Sequence, residues 1–313
     1  MVYTALDEGF SKPIFADFEA DSGVTVVPKF DTEATKTVGL TEAILAERER
    51  PRCDVFWNNE ILNTLRLERA GLLEVYRSPA AEPYPEWAKS AEGTWYGFAA
   101  RARILIVNTQ LVGEGERPNS IRDLAAEKWR GQAGIAKPLF GTTATHAACL
   151  FAALGDEEAQ RLFRAMKEND IRVEAGNKQV AVSVAAGRLA FGLTDTDDAL
   201  GQIAEGHPVV IVYPDQGDDE MGTLFIPNTL AIIKGGPHSE AARKLVDYLL
   251  SPKVEKRLAA GASGQIPLNP NVDVETRVKT PRDVKGMEVD WRQAADEWAD
   301  ATRFIRDEFA TAN

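Results

Sequence analysis

Three carboxylates, Asp195, Asp197 and Asp198, follow the apolar run 189–193 and stand directly ahead of a helical pattern at Ala199, Leu200 and Ile203. That is where an open α/β sheet binds its ligands, outside the carboxyl end of a strand at the turn into the next helix. Acids in a first helical turn also suit the positive end of the helix dipole. One acid is enough to cap a helix, so three point to a wall of a binding cleft. Asp195 and Asp197 offer hard oxygens to a metal ion, as does Asp7 in the turn after the first apolar segment. The same oxygens suit the hydroxyls or the ammonium group of an organic solute.

A second set has the opposite character. Thr142, Thr143 and Thr145 open a long apolar helix after Lys137-Pro138-Leu139-Phe140-Gly141. Hydroxyls and free backbone N–H groups at a helix start form a cradle for phosphate or carboxylate, and this set is expected on the wall facing the carboxylates. Asn177, at the start of a later helix, and Arg101, just past an apolar stretch, are expected to reach the same space. Asn58 and Asn59 follow the strand ending in Trp57, which is expected to line the cleft.

An enzyme is the competing class. A hydrolase using Asp195 and Asp197 as a carboxylate pair is the alternative, although alternate residues at a strand end point in different directions. His146 and Cys149 share a helix face, whereas a nucleophile and its base normally converge from separate elements. The cysteines Cys53 and Cys149 with His146 give no zinc spacing. His146, His207 and His238 are scattered, and neither a P-loop nor Gly-x-Gly-x-x-Gly is present. The chain is therefore read as a non-enzymatic carrier without a resident cofactor, any metal ion with its bound anion being transported ligand.

These residues need a scaffold. Strand and helix patterns alternate from residue 2 to residue 70, which predicts a parallel sheet with helices on both faces. Strands are expected at 2–5, 24–27 and 54–57, with helices from Phe10 to a Gly23 cap, at 38–48 and at 61–70; the polar loop with Asp31 and Glu33 lies between. Two strands, 95–98 and 103–108, follow. A second α/β cycle comprises a helix at 120–126, a strand at 133–136, helices at 142–154, 156–167 and 177–186, and strands near 190 and at 209–213. Extended segments 223–226 and 229–233, split by Pro227-Asn228, precede helices at 239–250 and 252–260 and a terminal helix at 291–309. Segments joined near 99–104 and 223–230 predict two lobes connected by two crossing strands. Lobe one takes residues 1–100 and 227–275, lobe two 101–226, and 276–313 forms a C-terminal helical segment packed on the lobes. A ligand between hinged lobes is the expected mode of binding.

Composition narrows the class further. The 313 residues allow two ordinary domains, and 44% hydrophobic with 27% charged residues is a globular composition. A net charge of −12 argues against a nucleic-acid partner, which would need clustered Lys and Arg. No apolar run approaches the roughly 18 residues of a membrane span. Cys53 and Cys149, far apart in the chain, are expected as core residues rather than a disulfide. Because Val2-Tyr3-Thr4 already reads as a core strand, a removed leader is expected ahead of it.

In order and spacing, several segments resemble the ferric-iron-type substrate-binding proteins of bacterial ABC importers. They include Val2-Tyr3-Thr4-Ala5, Asp54-Val55-Phe56-Trp57, Trp95-Tyr96-Gly97 through Arg101-Ala102-Arg103 to Val107-Asn108-Thr109, and 134–143. Ile226-Pro227-Asn228-Thr229, residues 248–255 and Gln265-Ile266-Pro267-Leu268 continue the likeness. The resemblance implies a type II periplasmic-binding-protein-like α/β fold, each lobe a mixed, mostly parallel sheet flanked by helices. It implies a periplasmic or lipid-anchored monomer that delivers its ligand to ABC permease subunits. It also implies an anion held at the Thr142 position. The chain departs from the iron pattern at three places. Asp7 stands where a histidine is usual, Asn59 (beside Glu60) where a glutamate is usual, and Asp195-Thr196 where an adjacent tyrosine pair is usual. Losing both phenolates removes strong hard ligands for Fe(III). Two ligand classes stay open: a metal ion with a synergistic anion, and a small organic solute bearing phosphate, phosphonate or carboxylate.

Overall fold

The computed structural model describes residues 1–31 and 35–310; Glu33 of the expected polar loop lies outside them. The chain divides into two units. Residues 1–100 and 226–278 form unit one, and residues 101–225 and 279–313 form unit two, so the chain passes between units three times. The terminal helical segment groups with unit two.

In unit one, β1 (Val2–Thr4) pairs in parallel with β2 (Pro28–Phe30) and with β3 (Val55–Asn58). β3 then pairs antiparallel with β9 (Phe225–Ile232), Val55 opposite Ile232 and Asn58 opposite Thr229. The helices are α1 (Glu8–Ser22), α2 (Val38–Ala46), α3 (Leu62–Arg69), α8 (Ser239–Leu249) and α9 (Pro252–Ala260). Phe10, Ile14, Phe15 and Phe18 recur at helical spacing on α1, and Gly23 ends the helix in the left-handed conformation at φ 69°. Ile14, Phe15 and Phe18 pack with Val55, Trp57, Phe98, Leu230, Ile232 and the apolar face of α8 into one core.

The β-branched run 24–27 is not a strand. The Val26 amide bonds the Glu19 side chain of α1 at 2.6 Å, and pairing with β1 starts in earnest only at Pro28. Local propensity lost to a tertiary tie. The two extended segments expected around Pro227 are likewise one strand. Its ladder with β3 begins at Thr229, so the missing proline N–H interrupts no bond there.

In unit two, β4 (Tyr96–Asn108) supplies residues 101–108. It pairs antiparallel with β7 (Phe191–Asp195) and with β8 (Val209–Val212). β5 (Ala133–Ala136) pairs in parallel with β7 and with β6 (Arg172–Glu174), so this unit's sheet is mixed. The two strands expected at 95–98 and 103–108 are this single β4, bent at Ala99, which has φ 44°. The helices are α4 (Gly141–Leu154), α5 (Asp156–Glu168), α6 (Asn177–Ala185), α7 (Thr196–Ala204) and α10 (Trp291–Phe304); the last continues into a π-helical turn, Ile305–Phe309. The helix expected at 120–126 is a short 3-10 turn, Ile121–Ala125.

Gly192 lets α6 approach this sheet. Gly134 and Gly192 are directly paired across β5 and β7. A Cβ on Gly192 would strike Val180 of α6 and lie 2.9 Å from the Gly134 carbonyl oxygen. Both cysteines are buried and unbonded to each other. Among the described residues, no helix is long and apolar enough to cross a membrane.

Candidate functional site

The expected site residues of unit two are drawn together by three helix starts. Thr142 and Thr143 open α4, Asn177 opens α6, and Asp195 is the residue immediately before α7. None of the three helices is capped by its N-cap side chain. Each start leaves backbone N–H groups pointing along a helix dipole whose positive end lies there. The Thr142 hydroxyl donates to Asp195 Oδ2 at 2.6 Å, and the Asn177 amide donates to Thr142 Oγ1 at 2.8 Å and to Asp195 Oδ2 at 3.0 Å. The Thr143 hydroxyl donates to Asn177 Oδ1 at 2.8 Å.

At the centre is a side chain that the sequence reading passed over. Arg103, fully buried on β4, donates from Nη1 to Asp195 Oδ1 (2.8 Å), Asn177 Oδ1 (3.1 Å) and Thr142 Oγ1 (3.2 Å), and from Nη2 to Thr143 Oγ1 (3.1 Å). Arg103 and Asp195 are direct partners in the β4–β7 register, so their side chains emerge on one face. The signal was in the sequence: Arg101 and Arg103 stand two apart in an otherwise apolar strand and therefore share a face.

Arg101 is buried too. Its Nη1 lies 3.3 Å from Asp197 Oδ2 and 3.6 Å from Asp195 Oδ2. Asp197 thus meets the same cation as Asp195, contrary to the expectation of divergent directions, because the chain turns into α7 directly after Asp195. Asp198 accepts from the Thr194 hydroxyl at 3.2 Å. The threonines and the carboxylates form one network on one wall, not two facing walls. Thr145 sits a turn deeper in α4, its hydroxyl directed back to the Gly141 carbonyl oxygen.

Charge follows geometry. Burial alone would raise the Asp195 pKa. Arg103 first, then Arg101 and the Thr142 hydroxyl overcome it and hold the carboxyl below its ordinary range. A general acid for hydrolysis needs the reverse shift. His146, one turn along α4, is buried, and burial with the nearby Arg103 charge pushes its pKa down to about 3. Oxygens of Asp195, Asp197 and Asp198 lie within 4.8 Å of one another, the spacing a cation would need, but Asp195 Oδ1 already accepts from Arg103 and its Oδ2 from Thr142 and Asn177.

In unit one the expected residues have other occupations. Trp57 is not at a surface: it is fully buried and packs against Phe15 and Phe98 with ring centroids 5.7 and 5.4 Å away. Asn58 is buried and donates to Glu60 Oε1 at 2.7 Å. Asn59 is buried beside it. Glu60 turns its carboxylate onto the Leu62 and Asn63 amides at 2.6 and 3.1 Å and so caps α3. Asp7 is exposed, leaves α1 without a side-chain cap, and pairs with Lys36 at 2.5 Å.

The class of the protein follows from its relatives. Residues 64–295 match the bacterial extracellular solute-binding protein family, to which this chain belongs. It is similar to iron uptake protein A1 of Synechocystis, 25% identical over 288 residues, covering 87% of this chain and 78% of that protein. The fold is that of iron-bound HitA from Pseudomonas aeruginosa (TM-score 0.88, 21% identity, 98% of this chain and 97% of that one). It is equally that of the periplasmic binding protein AfuA from Actinobacillus pleuropneumoniae with bound fructose-6-phosphate (TM-score 0.87, 21% identity, 99% and 98%).

Proposed function

We propose that the chain captures a small organic anion outside the cytoplasmic membrane and hands it to the permease of an ABC importer, without chemical turnover and without a metal. One observation carries the anion class. Three helix starts converge, through Thr142, Asn177 and Asp195, on the Arg103 guanidinium. Positive dipole ends and two arginines favour a phosphate, phosphonate or carboxylate group there. The named ligands of the relatives bracket this choice, since HitA is iron-bound and AfuA holds fructose-6-phosphate. Against iron, each carboxylate assigned to a metal already has a cationic partner: Asp7 has Lys36, Asp195 has Arg103, and Asp197 has Arg101. A cation placed beside two guanidinium groups meets like charge.

The close grouping of the Asp195, Asp197 and Asp198 oxygens favours a second reading, a metal ion carried with a bound anion. Calorimetric titration separates the two. Fructose-6-phosphate or inorganic phosphate should bind in chelator-treated buffer, and Asp195→Ala should weaken that binding by roughly tenfold, about 1.4 kcal/mol. Binding of ferric citrate together with no response to either phosphate compound would favour the metal reading. A phosphate ester consumed on incubation would replace the carrier by an enzyme.

A further inference from the structure

Outside that wall, Glu255 on α9 is a buried acid held by backbone amides from three separate residues. Its residue is fully buried, and among the described residues it has no ion-paired cation. Its charge is met by backbone. Oε1 accepts the amides of Ala99 at 2.6 Å and Leu268 at 2.9 Å, and Oε2 accepts the Asn269 amide at 2.8 Å. The Tyr84 phenol stands beside it.

Ala99 is the unusual member of this group. It lies inside β4 with φ 44°, the left-handed region that a Cβ-bearing residue disfavours. Its amide is held by Glu255, and its carbonyl oxygen accepts from the Asn228 side-chain amide. The same Asn228 amide donates to Gln265 Oε1 at 3.1 Å. The next residue, Ala100, exchanges both backbone bonds with Ile266, at 2.7 and 2.8 Å. Asn228, Gln265 and Glu255 are each fully buried.

Side chains alternate along a strand, so one irregular residue reverses the face taken by every residue after it. Two and four residues past Ala99 come Arg101 and Arg103. We propose that Glu255 is a positioning residue for the anion wall: it clamps Ala99 in the left-handed conformation, and that kink sets the face from which Arg101 and Arg103 emerge. The binding consequence rests on the anion reading above; the clamp itself does not.

The test is a cycle of Glu255→Gln, Ala99→Gly and the double variant, read by amide hydrogen exchange and by titration with inorganic phosphate. Glutamine keeps the size but replaces one acceptor oxygen by a donor. Glu255→Gln should speed exchange at Ala99, Leu268 and Asn269 at least tenfold and weaken phosphate binding at least fivefold. Glycine enters the left-handed region unaided, so Ala99→Gly alone should bind normally and the double variant should recover most of the phosphate affinity. Should Glu255→Gln fail to fold, the double variant must fold. A double variant that stays unfolded, or that binds no better than Glu255→Gln, overturns the clamp. Unchanged exchange at Ala99 in Glu255→Gln overturns it as well. If the unaltered protein does not bind phosphate, the anion reading fails, and exchange in the cycle alone decides the clamp.

Discussion

Arg103 and Asp195 face each other directly across β4 and β7, and their ion pair, 2.8 Å long, is buried at both ends. A buried pair couples its members strongly: removing one leaves an uncompensated charge that costs about 3–5 kcal/mol, whereas replacing both with apolar groups of similar size costs far less. Asp195→Leu alone should therefore destabilise by that amount, and Arg103→Met by less, because Arg101 still stands 3.6 Å from Asp195. The double variant should be the more stable molecule, though devoid of phosphate binding. Urea denaturation with a double-variant cycle measures this; additive losses would mean that the two side chains are energetically independent.

The buried imidazole of His146 makes a pH prediction. With its folded-state pKa near 3 and an unfolded value near 6.5, the unfolded chain binds the extra proton first. Stability should thus fall as pH drops below about 6.5, with a limiting slope near 1.4 kcal/mol per pH unit, down to about pH 3. Asp195, its pKa lowered, adds a loss of the same sign as pH falls below about 4. His146→Phe should flatten the upper part of the curve. Chemical denaturation of both proteins at pH 7, 6 and 5 supplies the comparison, and parallel curves would exclude His146 as the source.

Trp57 belongs to the core by its contacts with Phe15 and Phe98. Trp57→Ala should cost about 3–5 kcal/mol. The milder Trp57→Phe should fold and bind phosphate within twofold of the parent. A selective tenfold loss of binding in a stable Trp57→Phe protein would return this residue to the ligand.

Dialysis against a chelator should leave the thermal midpoint unchanged, because Asp7, Asp195 and Asp197 are already paired with Lys36, Arg103 and Arg101. Differential scanning calorimetry before and after dialysis reads this. A midpoint that drops and returns with ferric iron would restore those acids as metal ligands.

Gly192→Ala places a methyl group against Val180 and the Gly134 carbonyl. Both the sheet and α6 must give way, so a loss of about 1–3 kcal/mol is expected. Asn177 at the head of α6 should be displaced with it, weakening phosphate binding in protein that remains folded. A stable variant with intact binding would show that α6 can shift without consequence.

Much of this architecture is written in local pattern. The helical spacing of Phe10, Ile14, Phe15 and Phe18, the Gly23 terminator, and Asn177 and Asp195 at helix starts are all readable from neighbours in the chain. What was missed depends on distant partners. Whether 24–27 forms a strand is decided by Glu19, seven residues from Val26 along the chain but bonded to its amide. The carboxylates look free in the sequence because nothing local shows that Arg103, 92 positions away, is the register partner of Asp195. In the sequence Trp57 stands at a strand end beside two asparagines, a pattern shared by a cleft platform and a core anchor; the packing of Phe15 and Phe98 against it separates them.

Helix α10 sets the order in which unit two can be completed. Phe304 of α10 packs on Phe151 of α4 and Phe163 of α5, which are translated 153 and 141 residues earlier. Until α10 has emerged from the ribosome, the face formed by Phe151 and Phe163 lacks its cover. A nascent chain therefore carries an exposed apolar face until residues 291–304 emerge to cover it. Stalling a ribosome before and after that stretch, and comparing protease resistance of the earlier segments, would show the completion step as a late jump rather than a gradual rise.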